Sequence, residues 1–168
     1  MTDKDYNDCV KLYADNVYRF IFKNMRHAED AQDVVQTAFE KLWINKGQVE
    51  AGKAKSYLFT IAYHQMIDQL RKVKRMSYKE ELSELALGTE HQPQRHLKKM
   101  LDEALATLTD TQRHLVMLKD YEGYSYQEIG EIMSLSDSQV KVYLHRARIL
   151  LRNYLVQRDV GVSQAFNS

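Results

Sequence analysis

The residues best equipped for chemistry lie between Ser125 and Leu155, where hydrogen-bonding and cationic side chains recur at spacings a nucleic-acid duplex can use. Ser125 stands three residues before Glu128, and Ser136 three residues before Gln139. Each pair can form a capping box, in which the hydroxyl accepts from the backbone amide three residues on and that residue's side chain accepts from the capping amide. Apolar Ile129, Ile132 and Met133 follow the first box at helical spacing, and Val140, Leu144, Ala147, Leu151 and Leu155 follow the second along one face. Only Ser134 and Leu135 remain between them, which predicts two helices joined by a tight turn. Lys141, His145, Arg148 and Arg152 fall opposite the apolar face, Arg146 lies on its flank, and no acid interrupts Ser138 to Arg158. A helix with an apolar back, a cationic front and a start of small polar groups suits a DNA major groove: its first residues meet base edges, and the cations that follow meet phosphates. The competing reading is a solvated basic face on a core helix.

Elements that could hold such a reader must come from a chain of 168 residues, enough for one domain or two small ones. A hydrophobic share of 44% supports real cores, and 28% charged residues with six glycines and one proline indicate a helix-rich, soluble protein. The formal net charge of +1 argues against a nucleic-acid partner only if the charges are mixed evenly, and they are not. Arg71, Lys72, Lys74, Arg75 and Lys79 form a second basic run, while acids gather at Glu80 to Glu90 and from Asp102 to Asp137. Cys9 stands alone, so no internal disulfide is possible, and its expected role is that of a small buried hydrophobe. The chain shows no apolar signal core and no apolar run near 18 residues, so a cytoplasmic protein that does not span a membrane is expected.

Hydrophobic periodicity predicts an all-α fold of two small helical domains joined by a flexible linker. A first helix is expected over about Asp5 to Met25, with Val10, Tyr13, Val17, Phe20 and Ile21 on one side. The second opens on Glu29, Asp30 and Asp33, acids that complement its dipole, and closes at Gly47. Its apolar stripe is Ala31, Val34, Val35, Ala38, Phe39, Leu42 and Trp43, which leaves Asp33, Gln36, Thr37, Glu40 and Lys41 on the polar face. After a loop, a third helix from about Ser56 carries Tyr57, Leu58, Phe59, Ile61, Ala62, Tyr63, Met66, Ile67 and Leu70, more apolar surface than one core face requires. Ser77 to Gln94, with the only proline and no sustained stripe, reads as the linker. Leu97, Leu101, Leu105 and Leu108 mark a fourth helix, and Thr109 or Asp110 caps a fifth that Gly123 ends. The expected layout is a domain over 1–76, a linker over 77–95 and a second domain over 96–168, frayed after about residue 158.

Residues 30–43, Asp-Ala-Gln-Asp-Val-Val-Gln-Thr-Ala-Phe-Glu-Lys-Leu-Trp, with 56–62, Ser-Tyr-Leu-Phe-Thr-Ile-Ala, and 67–72, Ile-Asp-Gln-Leu-Arg-Lys, resemble region 2 of the bacterial sigma-70 family. Residues 105–113, 121–129 and 140–148 resemble region 4 of the same family, in the same order, and nothing between is long enough for a region 3 domain. The resemblance is therefore to the minimal extracytoplasmic-function (ECF) group of RNA polymerase sigma factors. It implies that Asp33, Gln36, Thr37 and Glu40 dock on the β′ clamp helices of core RNA polymerase, with the β flap as a further contact. It also implies that the stretch from Tyr57 to Arg75 opens the promoter −10 element and holds the unpaired strand. That task needs aromatic faces for unstacked bases and cations for the backbone, and Tyr57, Tyr63, His64, Arg71, Lys72, Lys74 and Arg75 are the candidates; Phe59 is expected in the core. Ser136, Ser138, Gln139, Lys141, Val142, His145, Arg146 and Arg148 match the reader of the −35 element. The implied partners are core polymerase, promoter DNA and an anti-sigma factor, for which a membrane anchor is one option; no cofactor or metal is implied. Two departures stand out: Tyr63-His64 occupies a place where the family often has Arg-Asn, and Ser134 a turn position where it often has Gly.

A dimeric helix-turn-helix repressor would account for the C-terminal pattern and leave the N-terminal motifs without a task. A hydrolytic or metal enzyme has less support still. His27, Glu29, Asp30 and Asp33, or His91 with His96, match no recognised ligand spacing, and no glycine-rich phosphate loop is present, so catalysis is not expected.

Overall fold

The computed structural model describes residues 1–76 and 93–158, apart from the side chains of 73–76 and 93–95. The expected linker, up to residue 92, and the expected frayed tail lie outside the described residues. The described chain is helical and divides into two compact units.

Three helices build the first unit: α1 (Asp3–Met25), α2 (Ala28–Ile44) and α3 (Ala54–Met76). Thr2 caps α1 through a reciprocal box with Asp5, and Arg26 ends it in the left-handed region at φ 56°, donating its amide to the Phe22 carbonyl. The His27 ring caps α2, its Nδ1 accepting from the Asp30 amide at 3.3 Å. Two 3-10 turns, Lys46–Gln48 and Ala51–Lys53, fill the connection to α3, so the third helix starts two residues before its expected place. All three helices pack on one another. Val17, Phe20 and Ile21 from α1 meet Ala31, Val34, Ala38 and Leu42 from α2 and Leu58, Phe59, Ala62 and Met66 from α3, all buried. Phe20 is the hub, its ring edge-on to Phe59 at 6.0 Å and tilted against Tyr63 at 6.5 Å. Truncating such a residue to Ala costs about 3–5 kcal/mol, so Phe20 is where this unit is most easily broken.

The second unit is built from α4 (Pro93–Thr107), α5 (Asp110–Val116), the start of α6 (Tyr126–Met133) and α7 (Asp137–Arg158). Pro93, expected in the linker, is the first residue of α4, a position where its missing N–H removes no helical bond and its fixed φ is already helical. Thr109 caps α5 through a box with Gln112. The expected fifth helix then widens into a π turn, Met117–Tyr121, in which the Glu122 amide reaches the Met117 carbonyl at 3.0 Å. Gly123, at φ 76°, ends it. The long α7 is the spine of this unit: α5 packs on it, and so does α4, through Met100, Ala104 and Leu155 with Leu101, Leu151 and Tyr154. Leu97, expected in the α4 stripe, is exposed, one turn outside this contact.

Candidate nucleic-acid and partner interfaces

Both predicted capping boxes form, and they fix the geometry of the helix-turn-helix. The Ser125 hydroxyl accepts from the Glu128 amide at 3.1 Å and Glu128 returns the bond at 3.0 Å; Ser136 and Gln139 do the same at 3.1 and 2.9 Å. Ser134 takes φ 59°, so the turn keeps left-handed backbone with a serine in it. The Leu135 amide closes back on the Gly130 carbonyl at 2.9 Å, and a Cβ on Gly130 would meet the Leu135 carbonyl oxygen at 2.6 Å. Glycine at 130 is thus required by the close passage of the turn, a feature the periodicity of α6 conceals.

On α7 the buried stripe is Val140, Leu144, Ala147 and Leu155 with Leu151 partly covered, as the spacing predicts. Ser136, Ser138, Gln139, Lys141, Val142, His145, Arg146 and Arg148 are all exposed. Four of them are already engaged, Ser136 by its hydroxyl in the cap and Lys141 with its ammonium 5.5 Å from the centre of the Tyr126 ring among them. Gln139 spends its side-chain oxygen on the cap and keeps only its NH₂ to donate outward. Arg148 grips Asp120 of the π turn with two bonds, Nε to Oδ2 at 3.1 Å and Nη2 to Oδ1 at 2.5 Å. The bidentate Asp120 contact also raises the guanidinium pKa further. Together with Lys141, Ser138, Val142, His145 and Arg146 make up the outward-facing start of this helix.

In the first unit α3 puts Leu58, Phe59, Ala62, Tyr63 and Met66 into the core and leaves Ile61, Ile67 and Leu70 partly covered; among its aromatics only Tyr57 stays outside. Tyr57 is half-exposed and lines a cleft of about 340 Å³ with Asn45, Gln48, Val49, Glu50 and Lys53. The 3-10 turns shape this cleft through the bonds from Gln48 N to Asn45 O and from Lys53 N to Glu50 O, both 2.9 Å. Its loop residues carry no periodic signal, so sequence reasoning found Tyr57 and missed its neighbours. Tyr63, expected to offer a face to bases, is instead only 9% exposed and packs toward Phe20. It falls on the same side of α3 as Phe59 and Met66, which a helix of 3.6 residues per turn brings to the core. His64, Arg71 and Lys72 are exposed; the side chains of Lys74 and Arg75 lie outside the described residues.

Along α2, Asp33, Gln36 and Glu40 are exposed and Thr37 is half-buried, with Gln36 Nε2 donating to Glu40 Oε1 at 3.4 Å. Trp43 departs from its expected place in the buried stripe. It is 44% exposed, edge-on to Tyr6 at 4.9 Å, with the Lys46 ammonium 3.3 Å from its ring centre. Ile44 beside it is 77% exposed. Cys9 is buried, and burial pushes its thiol pKa up. Among the described residues no group of three or more His, Cys, Asp or Glu is placed to hold a metal, and no helix is long and apolar enough to cross a membrane.

Comparison with known proteins matches residues 9–76 to Sigma-70 region 2 and residues 98–151 to Sigma-70 region 4. The chain is 30% identical over 157 residues to RNA polymerase sigma factor SigV of Bacillus subtilis (strain 168), covering 91% of this chain and 92% of that one. It is 26% identical over 169 residues to ECF RNA polymerase sigma factor SigW of the same organism, covering 91% and 90%. Among solved structures it resembles the sigma factor RpoE in complex with the anti-sigma factor NepR from Bartonella quintana, with a TM-score of 0.76, 26% identity, and coverage of 90% of this chain and 97% of that one.

Proposed function

Since the chain belongs to the ECF group of the sigma-70 family of RNA polymerase sigma factors, we propose that its two units divide promoter binding in transcription initiation between them. The second unit reads the −35 duplex. Ser138, Gln139 and Val142 address base edges from the start of α7, while Lys141, His145 and Arg146 serve the flanking backbone. The observation that supports this most is the pair of completed capping boxes, which leaves α7 with an apolar back, a rigid start and an exposed polar and cationic front.

The first unit engages polymerase and the −10 element. Asp33, Gln36, Thr37 and Glu40 dock on the β′ clamp helices, for which the exposure of Asp33, Gln36 and Glu40 opposite the buried face of Ala31, Val34, Ala38 and Leu42 is the support. Tyr57 and the cleft beside it receive an unstacked base of the melted strand, and Arg71, Lys72, Lys74 and Arg75 carry its backbone. The cleft is of a size usual for small-ligand sites and pairs an aromatic ring with the polar groups of Asn45, Gln48, Glu50 and Lys53. By its likeness to RpoE, whose complex holds an anti-sigma factor, this chain too is restrained by such an inhibitor.

Permanganate footprinting of promoter DNA with the reconstituted holoenzyme tests the −10 assignment. Wild-type chain renders thymines of the −10 element reactive. Tyr57→Ala reduces that opening by an amount equal to the loss of one base stack, about 1–3 kcal/mol. Unchanged reactivity in Tyr57→Ala would remove the cleft from the melting machinery.

A further inference from the structure

Trp43 and Lys46 make contacts that neither polymerase docking nor base reading explains. The Lys46 ammonium stands 3.3 Å from the centre of the Trp43 ring and donates to the Asp3 carboxylate at the start of α1. Trp43 is held edge-on by Tyr6, whose hydroxyl donates to the Phe39 carbonyl at 3.2 Å. One lysine thus ties together the start of α1, the end of α2 and the first 3-10 turn, of which it is the opening residue. Residues of that segment, Gln48 and Val49, wall the cleft beside Tyr57. The turn's own backbone offers little rigidity. It spans three residues, no side chain caps it, and its closing bond, from the Val49 amide to the Lys46 carbonyl, is long at 3.4 Å.

We propose that Lys46 is a positioning residue for −10 opening, a brace that holds Gln48 and Val49 in place before a base arrives. The inference rests on the reading of the cleft as the seat of an unstacked base. Lys46 does not line the cleft, so it acts through the turn. A wall already in place needs no ordering when the base enters, whereas a loose one subtracts its ordering cost from the affinity. Both holds need the cation, because loss of its charge releases the Asp3 carboxylate and the ring together. An exposed ion pair alone contributes little, so the ring contact carries most of the brace. The same contact gives Trp43 a reason to stand outside the buried stripe of α2: its ring must be open to the ammonium.

The test uses holoenzyme assembled from core RNA polymerase and the full chain. Its affinity is measured for a forked promoter fragment with an unpaired −10 strand and for a fully paired fragment carrying only the −35 element. Lys46→Met keeps the length and apolar stem but not the charge, and should weaken forked binding about two- to five-fold, the equivalent of one exposed cation–ring contact. It should also narrow the preference among the four bases at a single −10 position, with the −35 fragment and the melting temperature unaffected. Lys46→Arg, which keeps the charge, should retain wild-type behaviour. Asp3→Asn separates a brace from a direct contact with the strand. It frees Lys46 and removes a negative charge, so a lysine that grips phosphate would bind tighter, whereas a brace loses affinity. Wild-type forked affinity and base preference in Lys46→Met, with Tyr57→Ala impaired, overturn the brace and leave the cleft reading standing. Tighter forked binding by Asp3→Asn overturns the brace as well. If Tyr57→Ala is also unimpaired, the cleft reading falls and the brace with it.

Discussion

His114, fully buried on α5, is the residue whose environment has the clearest consequence in solution. Burial disfavours its charged form, with the adjacent Arg113 charge acting in the same direction, and its pKa falls from 6.5 to about 4. The folded chain thus holds a neutral imidazole over a range where the unfolded chain takes up a proton. Stability from this group is complete above pH 6.5 and declines as pH falls toward 4, by about 3 kcal/mol across the window. Thermal unfolding of wild type and His114→Leu should converge or cross over that interval, the wild type losing stability faster; parallel curves would contradict the assignment. Two backbone positions give opposite predictions. Ser134→Gly relieves a left-handed residue and should stabilise the chain by about 0.5–1 kcal/mol, a gain limited by glycine's greater freedom when unfolded. Gly130→Ala, although favourable in an ordinary helix, forces a methyl against the Leu135 carbonyl and should cost about 1–3 kcal/mol in denaturant melts. Ser134 could be marked from its place in the turn. Gly130 could not, because the oxygen that excludes a side chain there belongs to Leu135, a turn residue five positions on that only the folded turn brings against it.

At the scale of the helices, sequence patterning was most informative where a side chain bonds to its own backbone. The boxes at Ser125 and Ser136 formed as read, because such bonds depend only on local spacing, and of the two caps open for the fifth helix Thr109 is the one used, through a box with Gln112 that was not expected. Patterning failed where a residue belongs to two environments. Trp43 ends an apolar stripe yet stands half in solvent on Tyr6 and Lys46, and Tyr63 carries a polar tip yet turns its ring into the core. The cleft beside Tyr57 was illegible for another reason: its walls come from two 3-10 turns whose residues share no period. Because the α2 face takes no part in core packing, Asp33→Arg should leave the melting temperature almost unchanged, within the effect of about 0.5 kcal/mol usual for exposed substitutions. It should nevertheless weaken binding to core polymerase at least several-fold, and equal affinity by fluorescence titration would move the docking surface elsewhere. On α7, Ser138→Ala and Val142→Ala should reorder preference among −35 variants, whereas Arg146→Ala should weaken all of them alike. Uniform losses in all three would show that the helix start does not read bases.

The whole molecule joins two units that were legible as separate helical domains, since each carries its own buried stripe set. The near-neutral total charge follows from opposite-signed segments, which is why composition alone points away from nucleic acid while the distribution points toward it. A chain of this family acts by being added to an enzyme that cannot choose a start site unaided, and run-off transcription measures that directly. Purified core RNA polymerase on linear promoter fragments should give no discrete transcript alone. With this chain added, it should give transcripts of fixed length that depend on both the −35 and −10 elements, and the chain should bind core polymerase without DNA. No binding to core and no discrete transcript, together with tight binding of the chain alone to a duplex site, would contradict the account and identify a repressor instead.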